Sequence, residues 1–369
     1  MSEFTNRVES ILGPDVFHIL AQSGVLEKAT AELDDSELRP EDLSIEDRIV
    51  IDAERGILHY TPTQADIDEF SELTDDHNEP HKENSRFFDG NSILHGNYIA
   101  ALAESLARPY FLQHQRKTIQ EYFEGSLLGK LAHFFVRRRV IGSLNYSFKE
   151  AFHPGQQLEL RVKNFMFTKA DEKERDCKFK MECELIHPES DKKGRIYIEY
   201  LVKLPESPDL TKRLQKDEQT VTHVDEIVLD EEDLDTYRKM LRQPGDYFPV
   251  LFPVVRTNSR ILIKEFNKLK EKGEIKFDTG IYHKYNIQIY SGARKLKTGD
   301  KLKVHYVPDG RFRRNRQKVK VYVTNEDDKI LYEFNAPIYF MDAPKRKPLQ
   351  KSAVHKKLGS NEVIDAELN

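Results

Sequence analysis

Residues 60–107 read YTPTQADIDEFSELTDDHNEPHKENSRFFDGNSILHGNYIAALAESLA, and the rest of the chain is organised around them. Asp76, Asn78 and His81 fall within six residues of one another. His95 followed by Gly96 then opens an apolar pattern, Ile99, Leu102 and Leu106, whose spacing predicts a helix of about three turns ending at Pro109. With Pro80 between them, Asp76 and His81 suit a turn that converges two side chains on one point, rather than a strand. A carboxylate and an imidazole so placed can share one water and exchange protons with it, while the Asn78 amide orients a neighbour. A glycine at a helix start lets a carbonyl oxygen approach bare backbone N–H groups, where the helix dipole favours developing negative charge. A helix this apolar has to be buried, inside a curled sheet.

The run from Phe70 to Ala107, with LTDDHNEPH and then SILHGN, resembles the signature of the MaoC-like family, the R-specific enoyl-CoA hydratases and related acyl dehydratases. There the pattern is a small residue, often glycine, then Asp-x-Asn-Pro-x-His, and later Ile-x-His-Gly-Met. Asp76, Asn78, His81, His95 and Gly96 match it. Asp75 replaces the glycine, Glu79 the proline, with Pro80 one place later, and Asn97 replaces the methionine. The segment IGSLNYSFKEAFHPGQQLELRV is similar to the family's strand, proline-glycine turn and strand, and GRIYIEYLVKLP closes the unit. The resemblance thus spans residues 58–205. It implies acid–base work by Asp76 and His81, support from Asn78 and an oxyanion donor in the Gly96 N–H. His95 and Asn97 are expected beside the substrate. No metal or redox cofactor is expected, since a thioester itself acidifies its α-carbon.

Strand patterns surround this unit. Leu144, Tyr146 and Phe148 alternate, then Leu158, Leu160 and Val162 after the turn His153-Pro154-Gly155, then Phe179, Met181, Cys183 and Leu185, then Ile196, Ile198, Tyr200 and Val202. A short strand at Ile57–Tyr60 and a helix from Thr61 to Phe70 precede the turn. A second copy follows: IVLDEEDLDTY at 227–237 echoes the stretch before Phe70. Tyr290, Ser291, Gly299, Leu302 and Val304 fall on Tyr146, Ser147, Gly155, Leu158 and Leu160, and ILYEF at 330–334 falls on IYIEY. The second copy keeps Asp246 but neither the asparagine, the histidine nor the His-Gly pair. The expected fold is α+β, a double hotdog: two tandem units, each an antiparallel sheet wrapped around a central helix. Its parts are a helical extension (1–44), the motif-bearing unit (45–205), a polar linker (206–222), the degenerate unit (223–342) and a disordered polar, basic tail (343–369).

Composition narrows the function. The 369 residues, 38% hydrophobic with 21 Phe and 16 Tyr, can bury a sizeable core. A net charge of -5 among 33% charged residues gives no bulk drive towards nucleic acid or membrane. No eighteen-residue apolar run occurs, the N-terminus lacks a signal-peptide profile, and two cysteines, Cys177 and Cys183, suit a reduced compartment, so the cytoplasm is expected. His77, His81, His95 and Asp76 lack the spacing of a metal site, and none is expected. Arg137, Arg139, Arg313 and Arg314, in two basic runs, are candidates for coenzyme A phosphates or an acidic acyl carrier protein; the plain alternative is solvated strand ends.

The expected activity is that of a hydro-lyase interconverting trans-2-enoyl and (R)-3-hydroxyacyl thioesters, CoA-linked. Two alternatives stay open: a carrier-protein-dependent dehydratase of fatty-acid or polyketide synthesis, and a non-catalytic acyl-thioester-binding protein. A monomer is expected, the halves forming a pseudo-dimer, or else a homodimer.

Overall fold

Alternation of apolar and polar residues builds the sheet. In β3 (Val140–Ser147) Leu144 and Tyr146 are buried, in β5 (Lys178–His187) Phe179, Met181, Cys183 and Leu185, and in β6 (Ser190–Leu201) Ile196, Ile198 and Tyr200. The computed structural model describes residues 43–88, 90–122, 139–168, 178–187, 190–245, 247–282, 284–313 and 315–343. Every strand pairing in them is antiparallel, and the strands form one 12-stranded sheet. Its first part runs β1 (Ile49–Asp52), β2 (Ile57–Tyr60), β4 (Leu158–Thr168), β5, β6, β3. Its second runs β9 (Lys284–Ile289), β12 (Ile330–Met341), β11 (Arg316–Thr324), β10 (Lys301–Arg313), β7 (His223–Val228), with β8 (Thr279–Ile281) on β12. β3 and β9 are the seam, with Leu144 opposite Ile287 and Tyr146 opposite Tyr285.

Six helices complete the described chain: α1 (Ile45–Arg48), α2 (Gln64–Thr74), α3 (Gly96–Tyr122), α4 (Leu210–Lys216), α5 (Glu231–Met240) and α6 (Phe252–Glu271). The first part of the sheet curls over α3, which lies on β4 and β6; the second curls over α6, which lies on β7, β10 and β11. The fold is a double hotdog. No described helix is long and apolar enough to cross a membrane.

Several local expectations change. α3 runs past Pro109 to Tyr122. Pro109 removes one backbone donor, but Phe111 and Ile119 beyond it are buried, and Phe111 stacks on Tyr200 at 4.1 Å, so packing carries the helix through. α2 starts at Gln64, because Thr63 and Asp66 form a reciprocal capping box. β1 was not legible as a strand; it adds an edge beside β2. The linker contains α4, capped by Asp209, with Leu210 buried against Tyr290, Tyr322 and Ile330 on the outer face of the second half-sheet.

That cluster also corrects the repeat register. Tyr290 lies just past β9 and packs in this outer cluster, whereas Tyr285, Ile287 and Ile289, like Tyr146, pack in the main core, so Tyr290 is not the counterpart of Tyr146. The glycine correspondence holds in the backbone. Gly155 (φ 80) donates to Pro62 O at 2.7 Å and Gly299 (φ 87) to Leu229 O at 2.8 Å, each fastening a turn to the residue ahead of the next helix. Val202 lies past the end of β6 and is exposed. Residues 1–42, 344–369, Cys177 and Asp246 lie outside the described residues, and with them nearly all of the expected extension and tail.

Cys183 is fully buried in β5, and burial pushes its thiol up to about 12. The thiolate is the reactive form, so this residue is expected to resist iodoacetamide in the native protein and to react once the protein is unfolded, as peptide mass spectrometry would show.

Candidate active site

The site begins where α2 ends. Asp75 takes a left-handed conformation (φ 53), which reverses the chain and lets the Asp76 N–H donate to Ser71 O at 3.0 Å. Aspartate tolerates this region better than most side chains, so the turn forms with Asp75 and needs no glycine there. Pro80 sits inside the 3-10 turn Glu79–His81, where a missing N–H costs nothing, and the turn aims His81 back at Asp76.

His81 and Asp76 face each other across a narrow gap. The His81 Nδ1 lies 2.8 Å from Ile93 O and therefore carries the proton, leaving the Nε2 lone pair towards Asp76 Oδ2 at 3.9 Å. That separation is too long for a direct hydrogen bond and fits one bridging water. Burial and the neighbouring His95 outweigh the attraction of Asp76 and lower His81 to about 4, so its ring is neutral at neutral pH. For Asp76, burial alone would raise the carboxyl; His81, His95 and the Ser259 hydroxyl outweigh it and hold the group well below the usual carboxylate range.

Asp76, Asn78, His81 and Gly96 line one cleft of about 670 Å³, with Phe148 and Tyr282 among its other walls. At Asp76, Asn78, Gly280 and Tyr282 the cleft meets a narrow pocket of about 30 Å³ lined by Leu262, Phe266 and Phe340 between α6 and its sheet. Gly96 is the first residue of α3, and its N–H meets no backbone acceptor among the described residues. A Cβ there would come within 2.9 Å of Phe148 and 3.1 Å of the Tyr146 hydroxyl, so glycine is required on steric grounds as well.

The second half holds the first half's turn. Asn78 accepts from the Thr279 hydroxyl at 3.2 Å and donates to Gly280 O at 3.4 Å. Asn97, expected at the substrate, is instead buried and hydrogen-bonded across the halves: it donates to Ser259 Oγ at 3.0 Å and accepts from the Tyr285 hydroxyl at 2.9 Å, tying α3 to α6 and β9. His95, also expected there, is 2% exposed behind His81 and contacts Asp76, Ser71 and the His81 ring.

Of the four arginines only the Arg139 side chain lies among the described residues, and it does not line the cleft. The Arg139 guanidinium lies 4.7 Å over Phe179 and 5.4 Å over Phe167, away from the cleft walls. Arg313 is in the β10–β11 hairpin opposite Arg316, and Arg137 and Arg314 lie outside the described residues. Ser259, Tyr282 and Ser71 escaped the sequence reading, because each lies outside the motif and reaches the site only through folding.

The start of α6 is the counterpart of the start of α3, but it is already occupied. Glu104 of α3, fully buried, accepts from the Val250 N–H at 2.7 Å, the Leu251 N–H at 3.1 Å and the Tyr247 hydroxyl at 2.8 Å. The cavity beside it, lined by Phe248, Val250 and Ile289, measures about 160 Å³.

Among the described residues, Asp76, His81 and His95 place donor atoms within 4.8 Å of one another, a reach that could suit a metal ion. The two rings, however, lie face to face, with centroids 3.6 Å apart and planes 20° apart, so their in-plane lone pairs run side by side instead of converging. The set fits proton handling better than ligation.

No model of a known protein family matches the chain, and no curated protein sequence does. Solved structures do. A MaoC-like dehydratase is similar at 8% identity over 76% of this chain and 95% of its own, with a TM-score of 0.47. A conserved Mycobacterium tuberculosis protein with a double hotdog fold is similar at 9% identity over 82% and 99%, TM-score 0.46. An acyl-ACP thioesterase from Bacteroides thetaiotaomicron is similar at 10% identity over 80% and 100%, TM-score 0.40.

Proposed function

We propose that the chain is an acyl-thioester hydratase/dehydratase interconverting trans-2-enoyl and (R)-3-hydroxyacyl thioesters. The observation that carries this reading is the 3.9 Å gap between an ionised carboxylate and a neutral imidazole, buried where a cleft meets an apolar pocket. A water in that gap gives one proton to His81 Nε2 while its oxygen bonds to C3 of the enoyl group; the proton then returns to C2, and the elements of water are added in full. Negative charge passing to the thioester oxygen is met by the Gly96 N–H at the positive end of α3. The R configuration and coenzyme A as carrier rest on the sequence resemblance. The Asp76–His81 turn and the start of α3 form one wall of the site and Gly280–Tyr282 of the second half another, all within one chain, so a monomer suffices, with one site per chain because Glu104 fills the counterpart position.

The test is hydration of crotonyl-CoA and of a longer trans-2-enoyl-CoA, followed by loss of enoyl absorbance, with the carrier-protein thioesters run in parallel. A thiol reagent in the same cuvette reads hydrolysis of the thioester, the outcome that would replace this reading with a thioesterase. The lowered His81 also sets a pH dependence. A base must be unprotonated to accept a proton, so kcat/KM is expected to hold from neutrality down to about pH 5 and to fall only as His81 protonates near 4, well below the ordinary histidine range.

A further inference from the structure

Ser71 lies one turn before the motif and does not line the cleft, yet it anchors the site's polar chain. Its hydroxyl donates to Ile67 O at 2.8 Å and lies 2.9 Å from His95 Nε2. A hydroxyl whose proton is engaged accepts from Nε2–H, and this turns the other His95 nitrogen towards Asp76 Oδ2 at 3.4 Å. That nitrogen makes no hydrogen bond in the structure, and with Nε2–H as donor it holds the carboxylate when it also carries a proton, as an ion pair. One face of His95 covers the His81 ring, and Phe70 packs at 5.2 Å.

We propose that Ser71 and His95 are a positioning pair which fixes the Asp76 carboxylate and the plane of the His81 ring for proton transfer. Neither touches substrate. Ser71 sets the orientation of His95, and His95 acts on both reacting groups, on one by its ring edge and on the other by its ring face. The proposal rests on the hydratase reading for its kinetic consequence only. Among the described residues, few charged and titratable groups share the cleft with His81. They are Asp76 from the turn, Tyr282 from the segment after β8, and Lys149 and Glu150 at the cleft rim. Behind the turn, Asp75 pairs with Arg260 of α6 at 3.7 Å, and His77 lies near Asp75 and Glu72.

The experiment titrates the His81 ring by NMR in the substrate-free wild type, Ser71→Ala and His95→Gln, beside kcat and KM for enoyl-thioester hydration. The stacked His95 opposes protonation of His81. His95→Gln is therefore expected to move the His81 titration and the acid limb of kcat/KM upward together. Ser71→Ala, a one-atom trim on a helix, is expected to move both in the same direction by less, with kcat down about 5- to 10-fold and KM within about twofold. A His81 titration that is unchanged in both variants would overturn the proposal and leave His95 a packing residue, whatever happens to turnover. A shifted titration in a protein that turns over no thioester would sustain the positioning pair and defeat the hydratase reading instead.

Discussion

Asp76→Asn is expected to lower kcat/KM for enoyl-thioester hydration by about 100- to 10,000-fold while leaving the fold intact. Asparagine keeps the shape and can still accept from the Asn78 N–H, which lies 3.4 Å from Asp76 Oδ1. It carries no charge and no basic oxygen to hold the water against His81. The variant is also expected to melt lower than the wild type at neutral pH. Folding holds the Asp76 carboxyl below its unfolded range, so the ionised group contributes stability above that range and loses it as pH falls. Asparagine forfeits the contribution at neutral pH. Absorbance kinetics beside a circular dichroism melt would check both parts, and full hydratase activity in Asp76→Asn would remove Asp76 from the mechanism.

Glu104→Ala is expected to cost about 3 kcal/mol of stability, since truncating one member of a buried charged network strands its partners. The Val250 and Leu251 N–H groups and the Tyr247 hydroxyl would all lose the buried carboxylate that accepts from them. Glu104→Gln offers one acceptor oxygen where two are used, so its cost is expected to fall between wild type and alanine. Urea unfolding of the three proteins would rank them. Equal midpoints would mean that the start of α6 does not depend on this carboxylate. Burial raises the Glu104 carboxyl despite its three donors, so the group is a connector between the halves maintained at an electrostatic cost.

The sequence by itself determined the alternating strands, the buried helix beginning at Gly96, the pairing of two tandem units and the turn that carries Asp76, Asn78 and His81. Each is a local matter of period two, period 3.6 or turn chemistry, which a chain states in its own order. The Gly155 and Gly299 turns were legible for the same reason, their positive φ calling for glycine wherever the strands lie. Only the tertiary structure decided the rest. α3 crosses Pro109 because Phe111 finds Tyr200, and Tyr290, just past β9, leaves the main core because it packs with Leu210, Tyr322 and Ile330. Asn97 and His95 left the substrate side once Ser259, Tyr285 and Ser71, which stand 162, 188 and 24 positions away, became their partners. Glu104, an acidic residue in the middle of an apolar helix, gave no sign of its role. Its partners are 143 to 147 positions distant, and a buried carboxylate is intelligible only once the donors that surround it are in place.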